Sequence, residues 1–381
     1  MLLSEVTTMQ VGGPARTVVR PASEAELIAA VLGAWASDDE LLVLGGGSNV
    51  VVSDAGFDGT VIIVQSRGIE ALSPPDGTVR LRVQAGEPWD GLVAHAVAHG
   101  WAGIEALSGI PGSCGAGPIQ NIGAYGQELA ATLVGIDFLD YLSGKVERLP
   151  AAELQLGYRT SALKHGREGV VIAIELELMA SADGFVAYPQ LATALGVELG
   201  ARVPIAQVRT GVLALRAAKG MLLDPADPDS ASCGSFFTNP IVGENFARGL
   251  PGLAPRWPVE PELEDLVVPL DAVPSGAAAP PAVVAVAAPV LGPARATARA
   301  ESNDRVKVSA AWLIEQAGIG RGFALPGSRA AISSKHTLAI TNRGGATAEQ
   351  VAELARYIEA MVLSRFGVHL VPEPVGVGLQ L

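Results

Sequence analysis

Two glycine-rich segments are the parts of this sequence best suited to chemistry. Gly45-Gly46-Gly47-Ser48-Asn49 follows the apolar run LLVL. Residues without a Cβ let main-chain N–H groups approach an anion and form a concave cradle, which suits a diphosphate. The segment matches neither GxGxxG nor GxxxxGK[ST], because no Lys follows and no long helix opens there. Taken alone, an ordinary tight turn explains it as well. The second segment, IPGSCGAGPIQNIGAYG from Ile110 to Gly126, has too much Gly and Pro for regular structure. Loops this long inside a compact domain are usually functional, with a purely structural loop as the alternative. Two such loops in one α/β region point to a single extended, phosphate-bearing cofactor.

No other pattern competes with these loops. Cys114 and Cys233 are far apart and belong to no CxxC, and the five histidines lack metal-ligand spacing. Neither a disulfide framework nor a metal is therefore expected. Small buried or loop thiols account for both cysteines without a redox role. A net charge of −13 with no run of Lys or Arg argues against nucleic acid as a partner. A few positioned basic groups can still hold a small anion. The segment MLLSEVTTMQVGG has Glu5 where a signal peptide needs basic residues, and no long apolar run. The expected location is cytoplasmic.

The elements that must position these loops are legible in outline. At 381 residues, 49% apolar and 17% charged, the chain exceeds one core and predicts two or three domains. Ser23 and Glu26 are spaced as a capping box for a helix from Glu24 to Ala36. Short strands are expected around Val18, over Leu41 to Leu44, Val50 to Ser53 and Val61 to Val64. The pattern then repeats in kind, with the strand RLRVQAG, the helix WDGLVAHAVAHG, and strands around Ile136 to Leu142, Val146 to Leu149 and Val170 to Leu178. Ser143-Gly144-Lys145 reads as a hairpin turn. A helix is expected from Val203 to Lys219, followed by a turn-rich boundary in MLLDPADPDSAS. Residues 272–294 carry no charge but five prolines, which argues against a membrane span and predicts an Ala/Pro-rich surface insertion. Thr347 and Gln350 cap a last helix ending at Gly367, with a sheet expected beneath it. VHLVPEP reads as a terminal strand broken by Pro372 and Pro374.

Several motifs together are far more specific. TTMQVGGPA, LGGGSNVVVSDAGFDGTVI, GIPGSCGAGPIQNIGAYGQEL, GYRTSALK, GSFFTNP and VPEPVGVG span nearly the whole chain. In this order and approximate spacing they resemble the UDP-N-acetylenolpyruvoylglucosamine reductase (UDP-N-acetylmuramate dehydrogenase) family, in its subgroup with an extra middle-domain loop. The resemblance implies an α+β chain: a two-subdomain FAD-binding fold of the vanillyl-alcohol-oxidase type, with a C-terminal α/β substrate-binding domain. The expected domains are residues 1–70, 71–222 and 223–381. The implied activity is NADPH-dependent reduction of UDP-N-acetylglucosamine enolpyruvate to UDP-N-acetylmuramate in peptidoglycan precursor synthesis. FAD is expected to be held non-covalently, with NADPH as co-substrate and no membrane insertion.

The resemblance also assigns residues by position. Gly46, Gly47, Ser48 and Asn49 are expected along the FAD diphosphate, and Gly112, Ser113, Asn121, Gly123 and Ala124 along the rest of the cofactor, mostly through the main chain. Arg159, Ser235 and Glu373 match the family's active-site arginine, proton donor and C-terminal glutamate. Without the family they would read as a surface ion-pair residue, a loop serine and a solvated carboxylate. Tyr188, Lys219 and Asn239 resemble substrate-binding positions, while Thr238 stands where the family commonly has a basic residue. Hydride addition to an enol-ether carboxylate pushes charge onto that carboxylate, which a bidentate Arg stabilises. Two rivals remain: an FAD-dependent oxidase of a hydroxy acid or lactone on the same fold, and a non-enzymatic flavin or nucleotide-sugar binding module. The oxidase leaves GSFFTNP and VPEP unexplained.

Overall fold

The computed structural model describes residues 1–37, 39–72, 77–259 and 305–381, so the insertion read at 272–294 lies outside the described residues. These residues form two compact units, Met1–Thr238 with Leu313–Leu381, and Asn239–Trp312.

In the first unit β1 (Ala15–Val19) leads into α1 (Glu24–Ala36). The Ser23 side chain accepts from Glu26 N–H, and the Glu26 carboxylate accepts from Ala22 N–H at 2.8 Å, so the box expected at this end closes one residue early. Next come β2 (Leu41–Leu44), β3 (Val50–Val52) and β4 (Phe57–Ile63). β1, β4 and β2 make a parallel sheet with β4 central. α1 lays Leu27 and Val31 against Ile62 and Val64.

A second, antiparallel sheet follows: β5 (Ile69–Leu72), β6 (Thr78–Gln84), α2 (Trp89–Ala98), β7 (Trp101–Ala102), the small hairpin β8 (Gly123–Ala124) and β9 (Gln127–Glu128), then β10 (Leu133–Asp140), β11 (Val146–Pro150) and β12 (Gly169–Ala180). The strand order is β11-β10-β12-β6-β5, with β7 on the end of β12. β12 belongs to two cores: Val170 and Ile172 pack with α1, and Ile174, Leu176 and Leu178 with Trp89, Leu92 and Val93 of α2. A register shift of β12 against β10, between the pairs Asp137–Ala173 and Phe138–Val171, breaks the two-residue alternation and lets one strand serve both layers.

β13 (Asp183–Phe185), α3 (Pro189–Leu195), β14 (Arg202–Pro204) and α4 (Ile205–Ala218) form a helix pair with a small hairpin. The helix expected from Val203 starts two residues later. Pro204 ends a strand that pairs with β13, and its missing N–H suits the residue just ahead of a helix.

The second unit holds β15 (Ile241–Gly243), α5 (Glu244–Gly249), β16 (Arg256–Pro258) and β17 (Arg305–Val308), an antiparallel sheet with β17 central; α6 (Ala310–Gln316) begins at its end. The first unit then resumes with β18 (Ala330–Ile332), β19 (Ile340–Asn342), α7 (Ala348–Phe366) and β20 (Val375–Val377).

α7 opens on the expected Thr347–Gln350 capping box, ends at Gly367 in the left-handed region (φ 68°), and buries Val351, Leu354, Ala355, Ile358 and Val362. It packs on the hairpin β18-β19. Asp54, between β3 and β4, also accepts from the Ala348 and Glu349 N–H groups at 2.9 and 3.2 Å. The terminal strand expected in VHLVPEP is displaced: regular pairing begins only at Val375, where β20 joins β3 in parallel. Pro372 and Pro374 lack donors, so before β20 the chain makes single bonds to Phe236 to Thr238 instead of a ladder.

Candidate active site

The two glycine-rich loops meet face to face. Ser48 Oγ donates to Pro111 O at 3.0 Å, and a Cβ on Gly46 would stand 2.6 Å from Gly112 Cα. Gly47 is left-handed at φ 59°. The glycines therefore serve loop-on-loop contact as much as access for a ligand. Four consecutive main-chain N–H groups, of Gly46, Gly47, Ser48 and Asn49, donate to no protein acceptor among the described residues. Gly47 is buried, Ser48 and Asn49 are half-buried and Gly46 is exposed, and such a run of free amides forms an anion-binding concavity.

Two cavities adjoin this point. One, of about 610 Å³, is lined by apolar groups including Val43, Val64, Ala85, Phe138 and Val170, together with Gly45, Ser113 and Ala116. The other, of about 820 Å³, is a polar cleft that shares Ser113 and Ala116 with the first and includes Ser48, Asn49, Gly112 and Gly123. An apolar chamber, a row of free amides and a polar cleft in succession fit FAD, with a planar base in the apolar part and the diphosphate on the amides. Cys114 is fully buried and Cys233 is 6% exposed. Burial pushes the Cys233 thiol up to about 12, partly offset by its bond to Val50 O.

Arg159, Ser235 and Glu373 all line the polar cleft. Arg159 sits in the turn Gly157 to Thr160, closed by main-chain bonds of 3.1 and 3.3 Å in both directions. Its backbone is left-handed (φ 55°), uncommon for a residue with a side chain. Its Nη2 donates to Gly123 O at 2.6 Å, Nη1 to Asn121 O at 3.3 Å, and Nε lies 3.3 Å from Glu373 Oε1. Glu373 is fixed by its main chain: its N–H donates to Phe236 O at 2.9 Å and its carbonyl accepts from Asn49 Nδ2 at 3.1 Å. The first bond ties VPEP to GSFF and the second to the first glycine loop. Burial pushes the Glu373 carboxyl up, with Arg159 and Lys164 opposing. Ser235 Oγ makes no hydrogen bond to protein among the described residues.

The other expected residues divide into groups. Asn49 and Asn121 spend their side chains on protein contacts, Asn49 on Glu373 O and Gln120, Asn121 on Glu128, Gly157 and Ala130. Gly123 and Ala124 form β8, beside the Arg159 guanidinium. Tyr188 and Lys219 converge on Tyr125: the two tyrosine rings meet edge-on at 5.7 Å, and Lys219 Nζ is 5.5 Å from the Tyr125 ring centre. Lys219 also donates to Gln190 at 2.9 Å. Asn239 belongs to the other unit, where its Oδ1 accepts from Ala310 N–H at 2.9 Å.

Sequence reasoning missed Arg216, which lines the cleft at 8% exposure. It donates to Gly109 O and Met221 O, both at 3.1 Å, and has no carboxylate in ion-pair range among the described residues. Burial lowers its pKa, and burial followed by Arg216 lowers that of Lys219. Burial, Lys219, Arg321 and Arg216 hold His336 down at about 4. The buried Arg216 guanidinium gives the cleft a positive charge, which suits an anion. The only sequence signal was an Arg three residues before Lys219, which reads as ordinary helix solvation. Among the described residues no cluster of three metal-ligating side chains occurs and no helix is long and apolar enough to cross a membrane.

Comparison with known proteins agrees in each part of the chain. Residues 15–150 match an FAD binding domain family, and residues 225–377 match the C-terminal domain of UDP-N-acetylenolpyruvoylglucosamine reductase. Proteins named UDP-N-acetylenolpyruvoylglucosamine reductase align over the whole chain. The one from Leifsonia xyli subsp. xyli is 56% identical over 98% of its own length, and the one from Thermobifida fusca 45% identical over 97%. The crystal structure of such a reductase from Thermus caldophilus superposes with a TM-score of 0.60, covering 99% of this chain and 97% of that one at 23% identity. That likeness supports the fold.

Proposed function

The chain belongs to the UDP-N-acetylenolpyruvoylglucosamine reductase family, and we propose that Arg159, Ser235 and Glu373 act on the substrate in NADPH-dependent reduction of UDP-N-acetylglucosamine enolpyruvate to UDP-N-acetylmuramate. The observation that carries the residue assignment is the convergence of GYRTS, GSFF and VPEP on one cleft beside the amide-lined loops. The free amides of Gly46 to Asn49 would hold the FAD diphosphate, with Ser113 bordering both cavities and Gly112 the polar cleft.

Bound FAD supplies the hydride, taken from NADPH, that reduces the enolpyruvyl double bond. Arg159 holds the substrate carboxylate and stabilises the charge that develops on it as hydride arrives more than its ground-state charge. Its anchors on Asn121 O and Gly123 O leave little freedom to reorient. Ser235 delivers the proton to the neighbouring carbon; its uncommitted hydroxyl is free to point there. Glu373, its pKa raised by burial, is protonated over a wider pH range than a solvated carboxyl and then donates a hydrogen bond to the same carboxylate. Arg216, Lys219 and Tyr188 receive the anionic nucleotide-sugar portion. The division into residues 1–70, 71–222 and 223–381, the cytoplasmic location, roles in cell shape and division, and the absence of nucleic-acid partners belong to this proposal.

The test is the anaerobic flavin spectrum of the purified protein. NADPH should bleach it and the enolpyruvyl substrate should restore it. Bleaching by a hydroxy acid or lactone instead of NADPH would favour an oxidase on the same fold, and a protein that never binds flavin would refute both.

A further inference from the structure

Asn121 lies in the loop assigned to the cofactor, yet its side chain is used up by the protein. It is 1% exposed. Its Nδ2 donates to Gly157 O and to Glu128 Oε2, both at 3.0 Å, and its Oδ1 accepts from Ala130 N–H at 2.9 Å. Both amide hydrogens and the carbonyl oxygen are engaged. Gly157 is the base of the turn that carries Arg159, and Arg159 reaches back to the main chain at Asn121 and Gly123. The two segments therefore hold each other: the Asn121 side chain fixes the turn, and its carbonyl helps fix the guanidinium.

Both residues are left-handed, Asn121 at φ 47° and Arg159 at φ 55°. Such conformations cost free energy and persist where surroundings over-determine them, typically at functional sites. The bonds just described are that over-determination. No other short side chain donates twice and accepts once in this geometry; Asp would set a second carboxylate against Glu128 and leave Gly157 O without a donor.

We propose that Asn121 is a positioning residue that acts through Arg159, aiming its Nε edge at Glu373 and at the substrate carboxylate, and that its side chain is not a cofactor ligand. This rests on the assignment of Arg159 to the substrate carboxylate.

The experiment compares flavin-loaded Asn121→Ala, Arg159→Ala and the double variant in stopped-flow half-reactions. Bleaching by NADPH should stay within about twofold of wild type for Asn121→Ala, while recolouring by the enolpyruvyl substrate slows by about 10²-fold, as expected for a small misplacement of a catalytic group. In the Arg159→Ala background the same substitution should add less than about threefold, because the two act as one unit. Equal slowing in both backgrounds would overturn the proposal. If Asn121→Ala does not load flavin, Asn121→Asp with Glu128→Gln keeps the size and the bond to Ala130 and carries the same expectation; loss of flavin there too would place Asn121 in cofactor binding instead. The NMR signal of Arg159 Nε–H gives a readout independent of turnover: sharp and slowly exchanging in wild type, broadened in Asn121→Ala. A broadened signal with a wild type that cannot be recoloured by substrate would sink the substrate assignment while leaving the positioning intact. A signal unchanged by Asn121→Ala would sink the positioning.

Discussion

Arg159 Nε lies 3.3 Å from Glu373 Oε1, joining residues 214 positions apart, with side chains only 19% and 17% exposed. The carboxylate is held by its backbone and the guanidinium by two carbonyls, so the pair is built from fixed parts. Even with that cation beside it, burial wins and the Glu373 carboxyl is shifted up.

The shift gives a pH prediction with a definite sign. An acid whose folded pKa exceeds its unfolded value holds more protons in the native state between the two, so stability falls as pH rises through that window. Glu373→Gln mimics the protonated form. It should melt higher than wild type above the window and equal to it well below pH 4.5, the ordinary carboxyl value. Thermal melts across pH check this, and a Glu373→Gln protein less stable than wild type at neutral pH would contradict it.

Ser235→Ala should separate the two half-reactions. Bleaching by NADPH remains near normal, while recolouring by enolpyruvyl substrate slows by roughly 10²–10⁴-fold, the range for a lost general acid. Arg159→Ala impairs the same step but also weakens substrate binding, because the ground-state carboxylate already feels that charge. Slowed bleaching with normal recolouring in Ser235→Ala would remove the serine from its role.

Two glycine substitutions should act in opposite directions. A Cβ on Gly46 would meet Gly112 Cα at 2.6 Å, so Gly46→Ala forces the loops apart, with an overpacking cost of about 1–3 kcal/mol and loss of bound flavin. Gly33 lies inside α1 with nothing within 4 Å of an added Cβ, and Gly33→Ala should stabilise by about 0.5–1 kcal/mol. Flavin content and melting temperature of the two variants provide the check.

Both thiols should be silent toward a disulfide reagent at pH 8 until the protein unfolds, since Cys114 is fully buried and the Cys233 thiol is held near 12. Acid precipitation should release the flavin unmodified. Rapid native labelling of Cys233, or colour retained in the precipitate, would each count against this description of the cleft.

Local features were decided by the sequence. The helix over Glu24–Ala36, the Thr347–Gln350 capping box, the Gly367 stop and the strand at Leu41–Leu44 depend on periodicity and on groups three or four residues apart, which short-range hydrogen bonding and burial settle. The motif residues Arg159, Ser235 and Glu373 could be named because they sit in distinctive strings. Their meeting could not, because it depends on single bonds between distant segments: Glu373 to Phe236, Asn49 to Glu373, Arg159 to Gly123. The strand expected before Pro372 failed for the same reason, its partners being fixed by the GSFF segment and not by its own alternation. Arg216 and the apolar chamber left no trace, because a buried arginine on an amphipathic helix and valines around a cavity have the same residue types as solvated and packed ones. Only the arrangement of backbones around them decides whether a charge lacks a counterion or an apolar wall lacks a neighbour.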